Sequence, residues 1–88
     1  MDRQEVYEVI DSERTYQIQQ TAANTPKMNP DLSIGDFILA MQEQLEQART
    51  TWYGDSPPYY DTSEFIRKTS ALSVACMEKY GARKRLLK

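Results

Sequence analysis

Two sets of side chains in this 88-residue chain have the types and spacing to do chemistry. The first is acidic. Glu43 and Glu46 form an E-x-x-E, and Asp61 with Glu64 forms a D-x-x-E fifteen residues after Glu46. Carboxylates at i and i+3 share one face of a helix, so two such pairs on packed helices can hold magnesium against a triphosphate. A solvated acidic face is the plainer account of Glu43 and Glu46, and Asp61 with Glu64 also fits a helix capping box. The second set is basic and aromatic. Arg14 and Tyr16 flank Glu13 and Gln17, Arg67 and Lys68 stand side by side, and Trp52, Tyr53, Tyr59 and Tyr60 cluster between them. Arginine forks recognise phosphates and aromatic rings stack on bases. Arg14, Tyr16, Gln17, Trp52, Tyr53, Arg67 and Lys68 are therefore candidate binding residues for a small nucleotide-type ligand. The competing account is internal: an ion pair from Glu13 to Arg67 or Lys68 that holds the first helix against the third.

Other chemistry is poorly provided for. The chain has no histidine, the commonest general base and metal ligand. Its one cysteine, Cys76, falls in an expected core stripe with no histidine to activate it, so it reads as structural. Three glycines, Gly35, Gly54 and Gly81, make no phosphate-binding loop. No catalytic residue, metal ligand or cofactor is assigned, and the chain reads as a binding protein rather than an enzyme.

Three helices must position these residues. Asp2 and Glu5 form a capping box at the start of a helix expected to run to about Gln20. Its apolar stripe of Val6, Val9, Ile10, Tyr16 and Ile18 has Glu13 and Gln17 at its centre, where a carboxylate needs a partner. Thr21 to Pro30, with two prolines and no periodicity, reads as a loop. Ser33 caps a second helix whose residues Ile34, Phe37, Ile38, Met41, Leu45, Ala48 and Trp52 make one apolar face, with Gly54 as a left-handed stop. After a loop from Gly54 to Tyr60, Asp61 is the expected N-cap of a third helix that runs to Tyr80 before Gly81. Phe65, Thr69, Leu72, Cys76 and Tyr80 form its expected core stripe, and Ala71, Val74 and Ala75 make its other side apolar as well. Such a helix needs two partners: the second helix, and either the first helix or a second copy of the chain.

Composition bounds the rest. With 40% hydrophobic residues and no apolar run near the roughly 20 residues that span a membrane, the chain reads as a single all-α domain, a helical hairpin with a third helix added. A domain this small buries only about 60 to 65% of its unfolded surface, so assembly into a homo-oligomer is the expected way to complete the core. The absence of a signal-peptide pattern and the single cysteine predict a cytoplasmic location. Residues 1 to 78 hold 6 basic and 13 acidic residues, a net −7, whereas the tail over 82–88 is basic. An acidic body does not suit duplex nucleic acid, and no membrane partner is expected.

The blocks Glu13-Arg14-Thr15-Tyr16-Gln17 and Ile66-Arg67-Lys68 through Gly81-Ala82 resemble small proteins of tailed bacteriophages. The stretch from Trp52 to Tyr60, followed by Phe65-Ile66-Arg67-Lys68, also looks like the anti-CBASS sponges, although the histidine that follows the loop tyrosine in that family is missing. This resemblance implies an oligomer that sequesters a cyclic oligonucleotide immune signal without cleaving it. Tyr16 and the loop aromatics would then stack on bases while Arg14, Arg67 and Lys68 hold phosphates. The two acidic pairs resemble, with the second reversed, the metal motif of all-α MazG-type nucleotide pyrophosphohydrolases, an alternative that implies a magnesium-dependent enzyme. A third reading is an adaptor that docks on a host protein through the last helix and the basic tail.

Overall fold

The computed structural model describes residues 1–22 and 31–87, all helix or connection. Helix α1 spans Arg3–Ala22, α2 spans Ile34–Trp52 and α3 spans Tyr60–Tyr80. The loop expected over Thr21 to Pro30 begins later than expected, since Thr21 and Ala22 are helical, and its remainder lies outside the described residues. Among the described residues no helix is long and apolar enough to cross a membrane.

Local chemistry explains most helix ends. The Asp2 carboxylate accepts from Glu5 N–H at 2.8 Å while the Asp2 N–H donates to Glu5 at 3.3 Å, so the expected box forms. Ser33 caps α2, with Asp36 returning a bond to the Ser33 N–H at 2.9 Å. Gly81 ends α3 at φ +80°, a value that favours glycine, and its N–H bonds the Met77 carbonyl at 2.7 Å.

Two expected caps are corrected. Gly54 has no positive φ, and α2 ends at a right-handed Tyr53, with the Gly54 N–H bonded to the Thr51 carbonyl at 3.0 Å. Asp61 is not the N-cap of α3, because the helix begins one residue before it and the cap residue is Tyr59, left-handed at φ 64° with no side-chain bond. Asp55 does that work from across the turn. Its carboxylate takes both the Thr62 N–H, at 3.0 Å, and the Thr62 hydroxyl, at 2.6 Å. These bonds, the hydroxyl first and the amide second, hold the Asp55 carboxyl below its ordinary value of 3.8.

Helix α3 is central. Both α1 and α2 pack on it, and among the described residues they do not pack on each other. The second partner that α3 needs is thus the first helix of the same chain. The buried apolar residues are Phe37 and Ala48 from α2 with Ala71, Leu72 and Ala75 from α3, and Ala71 has no exposed surface at all. This corrects the expected core of α3: Leu72 is buried, Phe65, Thr69 and Cys76 are only half-buried, and Tyr80 is exposed. Small side chains let the helices approach closely, so the deepest positions are alanines. At the open end of the hairpin, the Tyr80 hydroxyl and the Lys79 ammonium donate to the Leu32 carbonyl at 2.5 and 2.8 Å, and Tyr80 meets Phe37 edge to face with ring centroids 6.5 Å apart.

Candidate functional site

The candidate binding residues fall into three places rather than one. The first is a polar clasp between α1 and α3. Arg67 Nε donates to Glu13 at 2.8 Å, and Glu13 is 8% exposed. Glu64, one turn back on α3, lies 3.7 Å from the same guanidinium. Arg14 forks onto Glu78, with Nε and Nη2 at 2.8 and 3.2 Å from the two carboxylate oxygens. The internal account of Glu13 is therefore the observed one, and it engages Arg67. The Arg14–Glu78 fork has no precursor in the sequence argument, because a pair separated by 64 positions leaves no local spacing signal. Both arginines expected to hold phosphate are already neutralised by carboxylates.

The second place is a cleft of about 400 Å³ where all three helices contribute. Gln17 comes from α1, Asp36, Ala40, Glu43 and Gln44 from α2, and Lys68 and Leu72 from α3. Gln17 is buried, and the buried Oε1 of Gln44 has no hydrogen-bond partner among the described residues. An amide oxygen left in that state is costly. The Lys68 ammonium lies 5.3 Å from the centre of the Phe65 ring, and no carboxylate among the described residues pairs with it. Lys68 is thus the one candidate cation that remains available to an anion. A further groove of about 410 Å³ on the other side of α1 is lined by Tyr7, Ile10, Ser73 and Met77 among others and carries the Arg14–Glu78 fork at its edge.

The third place is the aromatic turn between α2 and α3. Trp52 and Tyr59 meet with ring centroids 4.8 Å apart, tilted by 46°. Trp52 is 51% exposed, Tyr53 76% and Tyr60 74%. Pro57 and Pro58, joined by a cis peptide, complete the turn. Arg49 lies one turn before Tyr53 and bonds Glu46 at 3.1 and 2.5 Å, which raises its pKa and lowers that of Glu46. Tyr16 stands apart from all three places, half-exposed on α1.

The two acidic pairs behave as separate surface features. Glu46 is turned to Arg49, Glu64 to Arg67, and Asp61 is exposed on the first turn of α3. Among the described residues no three cysteine or carboxylate side chains come together so as to hold a metal ion. The chain matches none of the protein families, curated proteins or solved structures with which it was compared.

Proposed function

We propose that the chain is a non-enzymatic binding protein, a subunit of a homo-oligomer that sequesters a cyclic nucleotide immune signal in the manner its resemblance to phage anti-defence sponges implies. The observation that carries this reading is the aromatic turn, where Trp52, Tyr53 and Tyr60 leave half or more of their surface in water beside a rigid pair of prolines. Exposed rings of this kind are stacking platforms, and each base stacked on one contributes about 1–3 kcal/mol. Lys68, a little over two turns along α3 from Tyr60, is the cation left to meet a phosphate. Arg14 and Arg67 then serve the fold.

Titration calorimetry against cyclic di- and trinucleotides tests this directly. Binding is expected to weaken at least fivefold in Trp52→Ala and to stay unchanged in Arg14→Ala, and the ligand should be recovered intact after denaturation. No heat above buffer across the panel sinks the reading.

A further inference from the structure

The fold leaves three polar groups of the three-helix cleft without a counterpart. Glu43 and Lys68 both line it, yet among the described residues neither makes an ion pair, with each other or with any other side chain. Gln44, next along α2, keeps its side-chain oxygen buried with no hydrogen-bond partner among the described residues, a costly state for an amide. Its last torsion is broad and two-fold, so the oxygen can turn toward the cleft without a change of backbone. The cleft's other carboxylate is already committed, because Asp36 accepts from the Ser33 N–H and hydroxyl, both at 2.9 Å. Ala40 and Leu72 add an apolar wall, and Leu72 is only 7% exposed. The volume of about 400 Å³ falls among small-molecule sites, which run from roughly 300 to 1,000 Å³.

Two acceptors on α2 and a single cation on α3 define what fits. The ligand must present two N–H donors side by side, with an acceptor next to them, on a flat body that the apolar wall covers. Adenine and cytosine each offer one amino group and uracil one ring N–H, whereas guanine carries O6, N1–H and the N2 amino group in a row along one edge. We infer that the cleft is a guanine-binding pocket, in which Glu43 and Gln44 accept from N1–H and the N2 amino group while Lys68 donates to O6. The bonds to Glu43 and from Lys68 are charge-assisted, the stronger kind of hydrogen bond. The ammonium has three donors, so a phosphate at the mouth of the cleft can share it with the base. This inference rests on the reading above for the nucleotide class of the ligand, and it adds which base that ligand carries.

Amide NMR of the full chain, titrated with guanosine monophosphate and separately with adenosine monophosphate, tests it. The guanine nucleotide is expected to shift Ala40, Gln44, Lys68 and Leu72, and to bind about tenfold more tightly than the adenine nucleotide, the effect of one charge-assisted hydrogen bond. Glu43→Gln, at an exposed position, should erase that preference by weakening the guanine nucleotide alone. Gln44→Met should also weaken it without lowering the melting temperature, since the unpaired oxygen is removed. Absence of shifts with guanosine monophosphate, shifts confined to residues outside the cleft, equal binding of the two nucleotides, or a full preference in Glu43→Gln overturns the proposal. Guanosine monophosphate bound in the cleft while the cyclic panel stays silent upholds the pocket and sinks the sponge reading. Cyclic dinucleotides bound through Trp52 with no preference for guanine do the reverse.

Discussion

The central helix is held from its two sides by opposite means. Against α2 it packs alanines and a leucine around Phe37, with a backbone carbonyl at Leu32 tying the open end. Against α1 it presents two charge pairs, Arg67 to Glu13 and Glu78 to Arg14. The expected apolar stripe of α1 contributes little, since Val6, Tyr16 and Ile18 are exposed and only Val9 and Ile10 are half-buried. Apolar contact is non-directional and scales with the area covered, whereas a hydrogen-bonded ion pair depends on geometry and costs desolvation. The hairpin therefore carries most of the stability, and the α1 contact fixes where α1 lies.

Four measurements sharpen or break that contrast. Phe37→Ala empties the hairpin core and should destabilise the fold by about 3–5 kcal/mol in chemical unfolding. Ala71→Leu places three extra carbons at a site with no exposed surface and is expected to cost about 1–3 kcal/mol. Glu13→Gln keeps the shape but removes the charge facing Arg67, for a loss of about 1–3 kcal/mol. If it destabilises as much as Phe37→Ala, the division of labour drawn here is wrong. Arg14→Ala should cost no more than about 1 kcal/mol, because its partner Glu78 is half-exposed and solvent screens the pair.

Acid provides a last and smaller test, confined to the hairpin. The Asp36 carboxyl is held below its ordinary 3.8 by the Ser33 amide and then the Ser33 hydroxyl, and Asp55 by the Thr62 hydroxyl and then its amide. A folded value below the unfolded one gives stability that is present above pH 3.8 and is lost as pH falls through the folded value. The melting temperature should therefore drop below about pH 4, and Asp55→Asn should flatten that drop. An unchanged acid profile in Asp55→Asn would show that the cap at Thr62 contributes nothing.

Much of this fold was legible in the residues. Capping boxes and a terminal glycine act within a few positions, so the start of α1, the start of α2 and the end of α3 could be placed from local spacing. That Glu13 needs a cation of α3 was legible too, because a carboxylate in an apolar stripe demands one, but spacing left Arg67 and Lys68 both open and the fold selects Arg67. What local spacing missed is action at a distance: Asp55 reaching Thr62, Arg14 reaching Glu78, and Tyr80 reaching Leu32. The rotation of α2 was missed for a different reason. Of its expected apolar face only Phe37 and Ala48 are buried, while Ile34, Ile38, Leu45 and Trp52 stay about half-exposed, and periodicity alone does not say which side of a broad stripe the neighbouring helix covers. Of the candidate site, the aromatic turn was visible as composition. The engagement of both arginines was not, since a sequence shows charges without their partners.

The clasp on α1 has a mechanical meaning. Glu13 and Arg14 sit at the middle of a 20-residue helix, and they reach residues eleven positions apart on α3, roughly 16 Å along its axis. Two ties that leave one point in opposite directions resist rotation about that point, like stays on a mast. Cutting either tie should leave α1 attached but free to swing, changing the angle at which it presents Tyr16 while α2 and α3 keep their register.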